Sequence, residues 1–124
     1  MGCVICQDDA EIQILTHMKP GDVWIVHIPE LGTHEQSGIR PAVVIAQVTQ
    51  TIVTVIPCTS NMTALRFPYT HLIEQTKENG LTTPSVALVF HIRALDASYL
   101  KKKIGQVDKK TFNAIRVQAR RLIG

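Results

Sequence analysis

Short apolar runs separated by turn residues occupy most of this chain, and they limit its fold more than any other feature. Runs rich in Val, Ile and Thr between Gly, Pro, Asn and Ser clusters are typical of antiparallel strands. The run from Pro41 to Gln47 is almost continuously apolar, which predicts a strand buried on both faces. The predicted strands are residues 23–28, 41–47, 51–57, 70–74, 85–91 and 104–107, with a helical turn capped by Asp96 over residues 97–99.

The spacing of the apolar residues changes near the C-terminus. Phe112, Ile115, Ala119 and Leu122 recur at the period of one helix face, and Asp108 is placed to cap the first turn. Several strands followed by one helix predict an α+β, mainly β fold. We expect a small antiparallel barrel, or a strongly bent sheet, with a C-terminal helix.

The length of 124 residues fits one compact domain. Residues 1–17 show no clear period, so we interpret them as an N-terminal extension of a domain formed by residues 18–124. The net charge of +3 favours polyanionic partners only mildly, and the aromatic content of 5% argues against base stacking as the main binding device. Basic residues near the C-terminus are interpreted first as a solvated face. They are Lys101, Lys102, Lys103, Lys109, Lys110, Arg116, Arg120 and Arg121.

Several classes of site and location are disfavoured. The three cysteines do not suggest a disulfide framework, and the Cys3–Cys6 motif lacks the second pair typical of a zinc site. The five histidines share no spacing typical of metal ligands. No apolar run approaches the roughly 18 residues of a membrane span, and the N-terminus does not resemble a signal peptide. We expect a cytoplasmic protein without a membrane association, a metal or a cofactor.

Arg40 and Thr59 form the most informative pair of residues. If residues 41–47 and 51–57 form a hairpin that turns at Thr49-Gln50, counting back from the turn places Arg40 opposite Thr59, with Cβ atoms about 4.5–5.5 Å apart. Pro57 removes a backbone donor, which is typical of a strand at the edge of a sheet. The pair is therefore expected at an open end of the sheet, beside the polar loop of residues 32–38.

This pair suits recognition of a phosphodiester. The forked donors of a guanidinium match phosphate oxygens, and a neighbouring hydroxyl can donate a further hydrogen bond. RNA supplies its own nucleophile, the 2′-hydroxyl, so preorganised donors for the developing negative charge are the main requirement. Neither residue is a good base at its ordinary pKa. Glu35 is the better candidate for proton transfer, with His34 as the rival, and an ion-paired loop carboxylate is an equally good interpretation of Glu35.

The order and spacing of several motifs resemble the MazF/PemK family of toxin endoribonucleases, from about Met18 to Gly124. The motifs are Lys19-Pro20-Gly21-Asp22-Val23-Trp24, Gly32-Thr33-His34-Glu35-Gln36-Ser37-Gly38-Ile39-Arg40-Pro41, Pro57-Cys58-Thr59-Ser60-Asn61, Phe67-Pro68-Tyr69-Thr70-His71, Ser85-Val86-Ala87-Leu88, Ile92-Arg93-Ala94-Leu95-Asp96 and Lys103-Ile104-Gly105.

The resemblance implies a CcdB/PemK-like barrel that acts as a homodimer. It also implies sequence-selective, metal-independent cleavage of single-stranded RNA and restraint by a cognate antitoxin, with which such toxins bind DNA. The family's catalytic arginine and threonine fall on Arg40 and Thr59. The residues then expected to bind substrate are His34, Glu35, Gln36, Ser60 and Asn61.

Two departures from the family pattern concern specificity. His34 stands where the family usually has a small residue, and His91 replaces a common glutamine before Ile92-Arg93. These differences bear on the cleavage motif and on the antitoxin contacts more than on the catalytic pair.

Two functions of other classes fit the same fold. A CcdB-like toxin acts by binding gyrase and relies on a tryptophan near its C-terminus, whereas the tryptophan of this chain is Trp24. A non-catalytic barrel could bind nucleic acid or protein, but the presence of both Arg40 and Thr59 disfavours that alternative.

Overall fold

The computed structural model describes residues 18–28 and 38–124. Seven strands and a C-terminal helix make up the main elements. They are β1 (Asp22–Ile28), β2 (Gly38–Gln47), β3 (Ile52–Thr59), β4 (Thr70–Ile73), β5 (Ser85–Leu88), β6 (Arg93–Asp96), β7 (Leu100–Gln106) and α1 (Lys109–Ile123), with 3-10 turns at Met62–Arg66, Val89–His91 and Ala97–Tyr99.

The predicted strands are confirmed at most positions, with differences in the second half of the chain. The strand expected to extend to residue 91 ends at Leu88, because a 3-10 turn begins at Val89. Strand β6 was not predicted, since its sequence Arg93-Ala94-Leu95-Asp96 offers one buried apolar residue. Strand β7 begins at Leu100 and not at residue 104. The sequence pattern misses its first half because three consecutive lysines interrupt the apolar alternation, although Lys102 and Lys103 pair with β1.

The strands form an antiparallel sheet in the order β4-β5-β3-β2-β1-β7, with β6 also paired to β3. The mainly β fold with a C-terminal helix is confirmed, and the sheet does not close between β4 and β7. Strand β3 is central: it pairs with β2 on one side and with both β6 and β5 on the other. The expectation that Pro57 marks a sheet edge is therefore wrong. Pro57 lies where β3 passes from β6 to β5, a gap in which no backbone donor is required.

Two apolar clusters cover the two faces of the sheet. One contains Trp24 and Val44, and the other contains Val23 and Val43 together with Ile115 of α1. Successive residues of β1 and β2 thus point to opposite clusters, as strand geometry requires. The prediction that the apolar run of β2 is buried on both faces is confirmed for residues 42–44.

The capping predictions for the helical segments are also confirmed. The carboxylate of Asp108 accepts a hydrogen bond from the Thr111 amide at 2.7 Å, and the hydrogen bonds with Thr111 lower the pKa of Asp108. Asp96 accepts one from the Ser98 amide at 2.9 Å. Ile115 and Ala119 bury one face of α1 against the sheet. Within the described residues, no helix combines the length and apolar content needed to cross a membrane.

Candidate functional site

The hairpin of β2 and β3 places Arg40 and Thr59 at the same end of the sheet. Ala42 faces Pro57 and Val44 faces Val55, which is the predicted register. Continued by two residues, this register would set Arg40 opposite Thr59, but the paired residues end at Ala42 and Pro57. On the sides that face away from this ladder, Thr59 pairs with Val86 of β5 and Arg40 pairs with Val26 of β1.

Two departures from the simple hairpin cancel each other. The turn is one residue longer than predicted, because Val48 donates its amide hydrogen bond to the Ile52 carbonyl around Thr49, Gln50 and Thr51. A bulge at Ile45 adds one residue to β2 between Val44 and Ala46. The extra residue in the turn and the extra residue in β2 together restore the predicted register from Val44 to Ala42.

The end of β3 separates two neighbouring depressions. Arg40 lines the first, of about 400 Å³, together with Cys58, Ser60 and the segment from Gly80 to Thr83. Thr59 lines the second, of about 340 Å³. The other residues of the second depression are Asn61, Thr63, Ala64, Arg66, Phe67, Leu88, Phe90 and His91. A phosphate that contacts both Arg40 and Thr59 therefore has to sit on the rim between the two depressions.

Hydrogen bonding orients the hydroxyl of Thr59. This side chain is 9% exposed, and its Oγ1 accepts a hydrogen bond from the Asn61 amide at 3.2 Å. A hydroxyl that accepts in this way still has its own proton to donate. Asn61 is exposed and caps the following 3-10 turn through hydrogen bonds from the amide and hydroxyl of Thr63. Ser60 is also exposed, so both predicted substrate-binding residues after Thr59 lie on the surface beside it.

Cys58 borders the Arg40 depression but is not poised for nucleophilic chemistry. Its side chain is 1% exposed, and burial raises the pKa of its thiol to about 12. The thiolate is the reactive form of cysteine, so a thiol with this pKa is inert near neutral pH. Among the described residues, no group of three His, Cys, Asp or Glu side chains is arranged to hold a metal ion.

The remaining candidates from the sequence lie outside the described residues. These are His34, Glu35 and Gln36, together with the Cys3–Cys6 pair. Their predicted roles stay predictions.

The segment from Gly80 to Thr83 was not identified from the sequence, although it forms part of the depression beside Arg40. Asn79, 3% exposed, organises the turn before it: the side-chain oxygen accepts hydrogen bonds from the amides of Thr76 and Leu81, and the side-chain nitrogen donates to the Glu74 carbonyl. The Asn79-Gly80 dipeptide is a turn signal that could have located this bend. Nothing local in the sequence predicts which strand the turn packs against.

Gly105 of β7 allows this turn to approach the sheet. The Gln106 amide donates a hydrogen bond to the Glu78 carbonyl at 2.9 Å, and a Cβ at Gly105 would lie 2.2 Å from the same oxygen. We expect Gly105→Ala to destabilise the protein by about 2–3 kcal/mol, because backbone atoms have to move. Urea denaturation measures the change. Gly38→Ala is the control: its φ of +92° is strained for alanine, but no atom of the described residues lies within 4 Å of the new Cβ, so about 1 kcal/mol is expected. Equal losses in the two variants would contradict the steric explanation.

Comparisons with known proteins place these features in context. The family model of PemK-like, MazF-like toxins of type II toxin–antitoxin systems matches residues 19–123. The chain is 30% identical over 102 residues to Endoribonuclease MazF of Staphylococcus saprophyticus, covering 79% of this chain and 84% of that protein.

Solved structures show the same fold. A crystal structure of MazF (Form-I) from Deinococcus radiodurans is similar with a TM-score of 0.73 and 24% identity, covering 86% of this chain and 96% of that one. A crystal structure of MazE-MazF (Form-II) from the same organism has a TM-score of 0.62 and 27% identity, with the same two coverages of 86% and 96%.

Proposed function

This chain belongs to the PemK-like, MazF-like toxins of type II toxin–antitoxin systems and is an endoribonuclease, and from this premise we propose that it cleaves single-stranded RNA with Arg40 and Thr59. The observation that carries the proposal is the β2–β3 register, which brings these two residues to the same end of the sheet. The cleaved phosphodiester lies on the rim between the two depressions.

Arg40 and Thr59 act on the charge that develops during cleavage. The 2′-oxygen of the RNA attacks phosphorus and the bond to the 5′-oxygen breaks, which leaves a cyclic 2′,3′-phosphate and a 5′-hydroxyl. The guanidinium of Arg40 and the hydroxyl of Thr59 donate hydrogen bonds to the non-bridging oxygens as negative charge grows there. The amide of Asn61 already donates to Thr59 Oγ1, so the threonine proton turns away from that amide and is available to the phosphate.

Two protons have to move in this reaction. One leaves the 2′-hydroxyl and one reaches the 5′-oxygen. Arg40 is a poor base because a guanidinium keeps its proton in proteins. Glu35 is the preferred proton acceptor on intrinsic pKa, with His34 as the rival. Together with Gln36, Ser60 and Asn61, these two side chains make up the proposed substrate-binding set.

The domain and its partners are part of the same proposal. Residues 18–124 form the toxin domain and residues 1–17 an N-terminal extension. The Deinococcus radiodurans crystal structure of MazE-MazF supports a cognate antitoxin as partner. We further propose that the toxin is a cytoplasmic homodimer whose cleavage is sequence-selective and independent of metal ions and cofactors.

Incubation of the purified protein with a long single-stranded RNA in excess chelator tests the proposal. Cleavage is expected to proceed at the same rate with and without the chelator, because the RNA supplies the nucleophile. Sequencing of the new 5′ ends would then define the cleavage motif. Cleavage that stops in chelator and returns with Mg²⁺ or Mn²⁺ would overturn the metal-independent mechanism, and no cleavage in either condition would overturn the proposed reaction.

A further inference from the structure

We propose that the outward surface of α1 binds the phosphate backbone of the RNA beyond the cleaved phosphodiester, an inference that rests on the proposed function. This surface, the cationic face of α1, consists of Lys109, Lys110, Arg116, Arg120 and Arg121, all of which are exposed.

The five cations lie in rows along the helix. Lys109, Arg116 and Arg120 follow the spacing i, i+7, i+11, which keeps their side chains on one line, and Lys110 and Arg121 form a second row beside it. Buried Ile115 lies on the opposite side of the helix. The first row extends along about 16 Å of helix axis at 1.5 Å per residue, long enough to meet several phosphates of an RNA strand.

The placement of Lys109 and Lys110 does not serve the stability of the helix, whereas Arg120 and Arg121 lie in its last turn, where they complement the helix dipole. Residues 109–123 include no Asp or Glu, so no carboxylate within α1 balances the cations. In the described part of the chain, the salt bridge between Lys103 and Asp22 involves no residue of α1. Lys109 and Lys110 lie in the first turn, where the helix dipole disfavours positive charge. A polyanion along the helix would meet the five cations of α1 and the carboxylate of its N-cap, Asp108, which attracts Lys110.

The packing of α1 places the helix beside the candidate site. The helix contacts the 3-10 turn Val89–His91 and strand β4, and Gln118 Nε2 donates a hydrogen bond to the Thr70 carbonyl at 2.9 Å. Phe90 and His91 of that turn line the same depression as Thr59. A strand that leaves Thr59 through this depression therefore reaches α1 without crossing the core.

The chemistry of the surface favours a phosphate backbone as its occupant. Arginine forks match phosphate oxygens, and phosphate contacts require no particular base, so the surface suits RNA of any sequence next to a selected cleavage site. Binding through phosphate contacts releases counterions and depends on salt, with a slope of log affinity on log salt of about −0.7 per phosphate for single strands.

The test compares two double variants with equal loss of charge. Arg116→Gln/Arg120→Gln removes two cations from one row of the face, and Lys101→Gln/Lys102→Gln removes two exposed cations from β7, which pairs with β1. For cleavage of a long RNA, the helix variant is expected to raise KM on the order of tenfold with kcat unchanged, and to reduce the salt slope by about 1.4. The β7 variant is expected to keep both close to wild type.

Equal effects of the two variants, or no effect of either, would overturn the proposal, since the charges would then act only through the net field or not at all. Failure of the wild type to cleave RNA would count against the proposed function instead. In that case fluorescence anisotropy with a labelled 30-nucleotide single-stranded RNA applies the same comparison to binding alone. Loss of binding to poly-glutamate in the helix variant, with RNA binding intact, would assign the face to an acidic protein and contradict the proposal.

A second pair of substitutions separates this role from a structural one. Lys109→Gln/Lys110→Gln removes cations from the end of the helix where they are unfavourable, so thermal denaturation should show an unchanged or higher Tm. The same variant is expected to bind the labelled RNA more weakly. A lower Tm together with unchanged RNA binding would show that the two lysines serve the fold.

Discussion

Arg40→Ala is expected to lower kcat/KM for RNA cleavage by roughly 10²–10³, the usual effect of removing one preorganised donor from a developing oxyanion. Arg40 is half-buried and pairs with Val26 of β1, so β2 fixes the backbone from which its guanidinium extends. Initial rates on an RNA carrying the mapped cleavage site give the value directly.

Two controls distinguish the effect of the forked donors of Arg40 from the effect of its positive charge. Arg40→Lys keeps the cation but loses the fork of donors, so we expect activity between the wild type and Arg40→Ala. Lys102→Ala removes an exposed cation from β7 and should cleave at the wild-type rate. Full activity of Arg40→Ala, with circular dichroism showing the fold intact, would exclude Arg40 from the reaction.

Thr59→Ala is expected to lower kcat by about 10²-fold while KM for RNA stays close to the wild-type value. The threonine hydroxyl is proposed to strengthen its hydrogen bond as charge builds on the phosphate, so its loss affects the transition state more than substrate binding. Single-turnover cleavage measures the chemical step, and anisotropy with a labelled RNA measures binding.

The local role of Thr59 in the fold requires a matched variant. The substitution to alanine also removes the acceptor for the Asn61 amide, which could move the 3-10 turn that follows. Thr59→Ser keeps the hydroxyl and is expected to retain most of the activity. An equally large loss of RNA binding in Thr59→Ala would reassign the hydroxyl to substrate positioning, and equal inactivation of Thr59→Ser would point to the packing of the methyl group.

Local patterns predicted those parts of the fold whose cause lies within a few residues. The caps at Asp96 and Asp108 depend on a carboxylate and an amide two or three positions later, so both could be identified from the chain. The position of Arg40 and Thr59 at the same end of the hairpin could be predicted by counting residues from the turn. That count gave the correct register although two of its assumptions were incomplete, because the bulge at Ile45 offsets the longer turn.

Other parts of the site depend on contacts between distant segments. The turn around Asn79 packs on β7 through Gly105, and only this contact brings residues 80–83 to the depression beside Arg40. The sequence did not predict the central position of β3, for a related reason. Pro57 has the same covalent structure at an edge or in the middle of a sheet, and it is tolerated here because β3 changes partners at that residue.

The sequence by itself determined most of the elements, the helix caps, the two-faced burial of residues 42–44 in β2 and the pairing that brings a guanidinium and a hydroxyl to one end of a hairpin. Each of these follows from the period of side chains or from hydrogen bonds between near neighbours, which the order of residues specifies directly. The tertiary structure alone decided that β3 lies at the centre of the sheet, that Arg40 and Thr59 border separate depressions, and that α1 packs beside the Thr59 depression. Those features result from packing between segments far apart in the chain, where many arrangements share the same local pattern and the burial of the two apolar clusters selects one.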